Sequence, residues 1–195
     1  VEDARSVPLN LTNFHTSRAM VQLPACHITV LNSFARILDV SFRAPHGLII
    51  FQLEDDYGVS ANGMSVNRPA FLGMRGKVGC QFVEPRGSLH AIITLSAGLR
   101  DREWFETPDQ LGAFMPDGAA LAAARSVVGN ILRTASSEPD LLRDPGLALA
   151  MQEALLVAID LLFSRSRPPE LSGRLSSRSY CRLVRLVDDY VACHP

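Results

Sequence analysis

The spacing of apolar residues divides the chain into a strand-like half and a helical half. From Cys26 to about Leu95, short apolar runs alternate with turns rich in Gly, Pro and Asn. Apolar and polar side chains alternate within two of these runs, which is typical of strands with one buried face. Another run, Leu48-Ile-Ile-Phe51, is apolar on both faces and predicts a strand covered on both sides. The predicted strands are 27–31, 35–42, 48–53, 69–74, 78–82 and 89–95, with turns at 43–47, 61–63, 67–69, 75–76 and 84–87.

The second half of the chain has apolar residues at helical spacing. A first helix is predicted to begin after Pro116-Asp117-Gly118 and to run to about Ala135. A second is predicted over 145–163, with Asp144 as its N-cap and Pro145 at the first helical position, where an N–H is not needed. A third is predicted over 176–195. The fold class is therefore α+β, an antiparallel β roll or small barrel followed by a C-terminal helical segment.

The second predicted helix has two apolar faces. One is broad enough to dock on the sheet, and the other is a narrow seam with 3-4-3-4 spacing. We interpret the seam as half of a two-heptad dimer interface in which a polar Gln fixes the register. The alternative is a helix buried on all sides in the core of its own chain. The docking face comprises Leu147, Met151, Ala154, Leu155, Ala158 and Leu162; the seam comprises Leu149, Gln152, Leu156, Ile159 and Phe163.

The charge balance bears on possible partners. The 195 residues carry 19 basic and 20 acidic side chains, a net charge of −1, so the chain lacks the overall basic field of a protein that binds phosphate backbones along most of its surface. DNA would have to be contacted by another segment. Locally, 165–185 holds six Arg and one acid, Glu170. This stretch indicates either a solvated surface or a boundary beside a nucleic-acid-binding module.

Localisation follows from what the sequence lacks. No uninterrupted apolar run reaches the roughly 20 residues needed to cross a bilayer, and no secretory signal is visible at the N-terminus. The chain opens on Val1 without Met, so we expect the N-terminus to be incomplete. The four Cys show no CxxC pair, which argues against a disulfide framework and a zinc site. We expect a cytoplasmic protein that does not contact a membrane.

Signatures of catalysis are also missing. The sequence contains no GxSxG, HExxH, GxxxxGK[ST] or strand-linked GxGxxG motif, and its five His never occur as a close pair. His46 lies in a Pro-His-Gly turn, and Asp55-Asp56 after a strand are more typical of solvated acids than of a cation site. We therefore expect no enzymatic activity, no metal and no cofactor.

Two short phrases give the chain a resemblance to a known family. The last predicted helix reads Arg182-Leu-Val-Arg-Leu-Val-Asp-Asp-Tyr-Val-Ala-Cys-His-Pro195, and strands follow Gln22-Leu-Pro-Ala25. Together with the order of elements, these resemble the regulatory half of AraC/XylS-type transcriptional regulators. In that family a helix ending in a Tyr-x3-His-Pro-like phrase leads into two helix-turn-helix motifs. The second phrase is similar to the QLxxG opening of the AraC-binding-like subgroup, with Ala25 where Gly is usual.

The resemblance implies a cupin-like barrel that binds a small effector, helices that form a homodimer, and a C-terminal DNA-binding domain absent from this chain. The corresponding parts are an N-terminal arm (1–25), the barrel (26–98), a helical dimerisation region (99–173) and a linker helix (174–195). Two alternatives stay open: a stand-alone small-molecule-binding or enzymatic cupin-type barrel, and a pure dimerisation module whose barrel is filled by its own side chains.

Candidate effector contacts are inward-facing strand residues, identified by alternation, together with the Trp of the segment expected to close the barrel. Each could equally be a plain core residue, because aromatic and Met side chains fill protein interiors by default. The sequence does not name the effector, the operator or the sign of regulation. The candidates are Phe51, Met74, Cys80, Phe82, His90 and Trp104.

Overall fold

The computed structural model describes residues 3–10, 15–54, 58–66, 70–99, 102, 104, 110–167, 190 and 193. The strands are β1 (Asp3–Pro8), β2 (Ser17–Leu23), β3 (Cys26–Asn32), β4 (Arg36–Gln52), β5 (Val59–Ala61), β6 (Met64–Val66), β7 (Phe71–Glu84), β8 (Leu89–Leu95), β9 (Gln110–Pro116) and β10 (Ser166–Arg167). The α-helices are α1 (Gly118–Ser137) and α2 (Pro145–Ser164). The predicted α+β class is confirmed.

All strand pairs are antiparallel. The main order is β10-β9-β7-β4-β8-β3-β2, with β1 added to β4, β5 added to β7, and β6 added to β5. Within the described residues, the outer strands β2 and β10 do not pair with each other. The sheet is therefore open, and it differs in this respect from the closed cupin-like barrel that the sequence led us to expect.

The two longest strands, β4 and β7, bend at the same place. Their register runs from Arg36 opposite Glu84 to Ala44 opposite Gly76, and resumes with Leu48 opposite Met74. Between these points three residues of β4 oppose one of β7, an irregularity that bends and twists a strand pair. Gly47 (φ 123°) and Gly76 (φ 96°) lie at the bend with backbone angles that favour glycine. The turns predicted at 43–47 and 75–76 are thus bends within continuous strands.

The bend produces two apolar cores. Side chains from both halves of β4 and β7 share one cluster, so the two parts of the sheet face each other across it. We call this cluster the inner core; it comprises Val40, Phe42, Ala44, Leu48, Ile50, Ala61, Leu72, Met74, Val78, Cys80 and Phe82. The outer core lies on the opposite face of the sheet, where residues such as Ile49 and Ile93 pack with Leu121 of α1 and Leu155 of α2.

Both helices begin within one residue of the predicted positions, and each has an aspartate N-cap, of which Asp144 was predicted. The Asp117 carboxylate accepts a hydrogen bond from the Ala120 backbone N–H at 2.6 Å, and the Asp144 carboxylate accepts one from Leu147 at 2.9 Å. Each bond satisfies a backbone donor that the first helical turn leaves without an intrahelical partner. The C-terminal ends lie within two residues of the predicted ones. These short-range signals were sufficient because a cap depends on neighbouring residues only.

The predicted dimer seam is wrong in its placement. Gln152, Leu156 and Ile159 are buried in the protein's own structure, and Phe163 packs edge-on against Phe71. The side-chain Oε1 of Gln152 accepts a hydrogen bond from the backbone N–H of Ala25, so this polar group joins α2 to the turn between β2 and β3. The helix is buried along the seam because the sheet covers it there.

The outer face of α2 carries apolar side chains as well. Leu149, the remaining seam residue, is 50% exposed and Val157 is 64% exposed. Ala154, predicted to dock on the sheet, is also exposed. By length and composition α2 could cross a membrane, with a mean hydropathy of 1.8, contrary to our reading of the sequence. Core helices also have this length and composition, and 39% of the apolar stretch of α2 is buried within the protein.

The predicted third helix and the Arg-rich stretch lie largely outside the described residues. Tyr190 and Cys193 are described, and both are helical and exposed.

The close contact at Gly87 gives a test of this fold. A Cβ at this position would lie 2.4 Å from the backbone oxygen of Ser33. We expect Gly87→Ala to lower the free energy of unfolding by about 1–3 kcal/mol, the usual cost of forced overpacking. Urea denaturation measures the difference.

Gly129→Ala is the matched control. A Cβ at Gly129, inside α1, would meet nothing within 4 Å, so this variant should gain up to about 1 kcal/mol from helix propensity. Equal stability of Gly87→Ala and the wild type would contradict the close approach of the two loops.

Candidate ligand-binding site

A cavity of about 230 Å³ borders the inner core. It exceeds the roughly 150 Å³ of an engineered apolar cavity that binds benzene, so it has room for a small organic molecule. Most of its wall is aliphatic or aromatic. The apolar lining includes Leu31, Leu38, Val40, Phe42, Ile50, Phe51, Val59, Leu72, Phe82 and Ile92.

Strand alternation explains this wall. Leu38, Val40 and Phe42 are two residues apart on β4 and therefore share one face. Leu38 lies opposite Phe82 on β7, so side chains of both strands meet on that face. The wall is thus a direct result of the period-two pattern of the sequence.

One end of the cavity is polar. Arg36 and Glu84 are directly opposite on β4 and β7, and both line the cavity. The Arg36 Nε donates a hydrogen bond to the Glu84 Oε2 at 2.9 Å, and the Ser33 hydroxyl donates to the same oxygen at 2.7 Å. Arg36 is 7% exposed and Glu84 is 3% exposed. A buried ion pair of this kind is tolerated when further hydrogen bonds satisfy the remaining polar atoms.

That condition is met for Glu84 but only in part for Arg36. The Nη2 of Arg36 is buried and has no hydrogen-bond partner among the described residues. A buried donor without an acceptor costs about 1–3 kcal/mol. The guanidinium also lies over the Phe34 ring, 5.7 Å from its centroid. The side chain is therefore held in place while one of its donor groups is left unsatisfied.

His90 lies at the same end. Its Nδ1 is 3.4 Å from the hydroxyl of Ser88, which is in turn 3.1 Å from the Ser33 hydroxyl. Burial lowers the pKa of His90; the nearby Glu84 raises it and Arg36 lowers it further, both to a smaller extent. The imidazole is consequently neutral at pH 7, when it can donate one hydrogen bond and accept another.

The cavity also reaches elements that connect to the rest of the protein. Ala4 of the exposed strand β1 lies along it. Gln52 lines it from the end of β4. The backbone oxygen of Gln52 accepts a hydrogen bond from Arg125 Nε of α1 at 2.8 Å. The Nη2 of the same guanidinium donates to the backbone oxygen of Glu54, also at 2.8 Å. Arg125 thus fastens α1 to the edge of the cavity.

Three of the predicted effector contacts border this cavity and three do not. Phe82 and His90 line the cavity, and Phe51 borders it although its side chain packs in the outer core, whereas Met74 and Cys80 are fully buried within the inner core. Trp104 belongs to the outer core: its indole N–H donates to the Asp160 carboxylate at 2.7 Å, and its ring stacks on Phe163. The prediction for Trp104 is therefore corrected, because its partners are on α2.

Sequence reasoning missed Arg36, Glu84 and Ser88. A charged residue at the end of a predicted strand is normally solvated, so neither Arg36 nor Glu84 was singled out. A signal was nevertheless available. Arg36 continues the inward series of Leu38 and Val40, and Glu84 continues the series of Phe82 and Cys80. Following the alternation to the strand ends would have placed both charges inside.

Other reactive groups are elsewhere. Burial raises the pKa of the Cys26 thiol to about 12, so it is no nucleophile at neutral pH. Within the described parts of the chain, no group of three or more His, Cys, Asp or Glu residues could hold a metal ion. His46 lies in the bend of β4 rather than in a separate turn. Asp55 and Asp56 lie outside the described residues.

The lowered pKa of His90 predicts a pH dependence of stability. In the unfolded chain the imidazole takes up a proton near its ordinary pKa of about 6.5, whereas the buried imidazole resists protonation to a lower pH. The free energy of unfolding should therefore fall as the pH is lowered from 7 to 5.

Thermal melts of the wild type and His90→Gln across this range measure the effect. The variant should show a smaller decrease. His27→Gln is the comparison, since the pKa of His27 is also lowered, by burial first and by Arg18 next, at a less buried site. An unchanged pH dependence in His90→Gln would rule out the buried neutral imidazole.

Comparisons with known proteins were made for sequence and for fold. No protein-family model and no curated protein matches the sequence. The fold is similar to the crystal structure of the AraC-like transcriptional activator CuxR, with a TM-score of 0.59 and 9% sequence identity. The likeness covers 94% of this chain and 69% of the CuxR chain. Nearly the whole chain thus has a fold found in an AraC-like transcriptional activator.

Proposed function

We propose that this chain is the effector-sensing and dimerisation domain of an AraC-family transcriptional regulator, with the DNA-binding domain outside the 195 residues. The observation that carries the proposal is the cavity beside the inner core, with its apolar wall and fixed polar end. Pockets for small molecules have this composition, in which a few positioned polar groups orient a mainly apolar ligand. The likeness in fold to an AraC-like activator supports the regulatory role.

The mechanism follows from the elements that border the cavity. An effector beside Gln52 acts on the strand end that Arg125 fastens to α1. The helices also hold the sheet through the hydrogen bond between Gln152 and Ala25. An effector that binds better to one arrangement of sheet and helices shifts the population toward that arrangement. The shift is limited by the difference between its two affinities.

Dimerisation is part of the proposal, and DNA is contacted only through the domain outside this chain. The dimer cannot use the predicted seam, because Gln152, Leu156 and Ile159 are engaged within the chain. A stand-alone binding protein or enzyme with the same cavity is the alternative. Turnover of a bound ligand, or a gene product that ends without a DNA-binding domain, would favour the alternative.

A thermal-shift screen tests effector sensing. Small amines, sugars and aromatic acids are screened against the purified protein, and we expect at least one to raise the melting temperature, because a ligand held only by the folded state stabilises it. The increase should be lost in Val59→Trp, where a larger side chain enters the cavity from the short strand β5.

Met20→Trp is the matched control for that variant. Met20 is 60% exposed on β2 and is not part of the cavity lining, so the ligand-induced increase should be retained. A stabilising compound that works equally well on Val59→Trp would place its site elsewhere. The absence of any stabilising compound would favour a module without a ligand.

The source gene tests the DNA-binding part of the proposal. We expect the reading frame to continue past the codon for Pro195 for about a hundred codons, the length of a small domain. The additional segment should be basic and should contain two helix-turn-helix patterns, since such motifs contact phosphates and enter the major groove. A stop codon directly after Pro195 would contradict the proposal.

A further inference from the structure

The polar end of the cavity contains one buried donor group that has no acceptor among the described residues. The carboxylate of Glu84 already receives the Nε–H of Arg36 and the hydroxyl of Ser33 on one oxygen. The Nη2 of Arg36 carries N–H donors and has no acceptor within the described residues. Arg36 itself lines the cavity, so a small shift of the guanidinium toward an occupant would give the buried Nη2 its missing acceptor.

The charges at this end are already balanced. Arg36 and Glu84 are the charged side chains in the described lining of the cavity, and they neutralise each other at 2.9 Å. Burial holds the pKa of His90 below its ordinary value, so this side chain adds no charge at pH 7. A ligand carboxylate would bring an uncompensated negative charge into a buried site, which is costly. A neutral acceptor satisfies the donor without that cost.

We propose that the cavity takes a compact, mainly apolar molecule carrying one neutral hydrogen-bond acceptor, such as a carbonyl oxygen, and that Arg36 Nη2 donates to this acceptor. The inference rests on the proposed effector-sensing function and names the chemical class of the effector. The apolar part of the molecule contacts the wall formed by residues such as Val40, Leu72 and Phe82. With a cavity of about 230 Å³, the class corresponds to a molecule somewhat larger than one aromatic ring.

Three probes of similar size distinguish a neutral acceptor from no acceptor and from an anionic one: acetophenone, cumene and benzoate. Each has a phenyl ring with a planar or branched group of three heavy atoms, and they differ in offering a neutral acceptor, no acceptor or an anionic acceptor. Isothermal titration calorimetry of the wild type at pH 7.5 gives the three Kd values. We expect acetophenone to bind about tenfold more tightly than cumene or benzoate, since a hydrogen bond from a charged donor is worth about that factor.

Variants at Arg36 identify the donor. Arg36→Lys retains a cation for Glu84 but removes the guanidinium group, and it should abolish the preference for acetophenone over cumene while leaving the affinity for cumene unchanged. Arg36→Met combined with Glu84→Gln removes both charges and leaves an acceptor for Ser33, so that no unpaired charge is left buried. It should give the same result. Arg143→Lys, at an arginine whose side chain is 84% exposed, is the control and should change none of the three affinities.

The outcomes distinguish this inference from the proposed function. Cumene binding as tightly as acetophenone, or benzoate binding more tightly, would overturn the inference and still show that the cavity holds a ligand. A preference for acetophenone that survives in both Arg36 variants would overturn the role of Arg36. If none of the probes binds, the inference is overturned, and the thermal-shift screen decides separately whether the protein senses another class of molecule.

Discussion

The bend shared by β4 and β7 is the constraint on which the rest of the architecture depends. The two strands pair on both sides of the bend, yet their two halves must face each other. The register shift between Ala44 and Leu48 allows this, and the positive φ angles of Gly47 and Gly76 accommodate it on both strands. Straight strands would have left a single flat sheet, with one face on the helices and no interior in which a cavity could form.

The polar end of the cavity shows what such an interior costs. Burying Arg36 and Glu84 removes two charges from water, and their mutual attraction compensates for this only because Ser33 and the cross-strand geometry complete most of the hydrogen bonds. The remaining unpaired Nη2 is a local loss of stability. Natural structures contain few such groups. Under the proposed function, stability and recognition compete at the same side chain.

The sequence predicted best what depends on adjacent residues. The cap at Asp144 and the apolar alternation of β8 specify local structure, and they located α2 and β8, whereas β1, β2 and β9 were not predicted. Long-range features were harder. The glycines at 47 and 76 indicated turns, because a local pattern does not distinguish a reversal of the chain from a bend in a continuous strand. Likewise, a helix with two apolar faces does not show whether the second is covered by another molecule or by its own sheet.

The residues of the candidate site also divide into those that a local pattern predicts and those that depend on long-range contacts. Alternation identified Phe82 and His90, but Phe51 packs its side chain in the outer core, and Met74 and Cys80 point inward without lining the cavity. Which inward residues surround empty space depends on how the two halves of the sheet are spaced, and no single strand carries that information. The charged pair was missed for a different reason. Its burial is favourable only when both partners are present, and their positions are 48 residues apart in the sequence.

The placement of Trp104 has a spectroscopic consequence. It is the single tryptophan of the chain, and its indole is fixed against α2 by the bond to Asp160 and by stacking on Phe163, with the Arg102 guanidinium 5.5 Å from its ring. The tryptophan fluorescence of the protein therefore originates in the outer core, and Trp104 is not part of the cavity lining. A molecule in the cavity that changed the emission of Trp104 would do so without contacting it. Such a change would show that binding alters the packing between the sheet and α2.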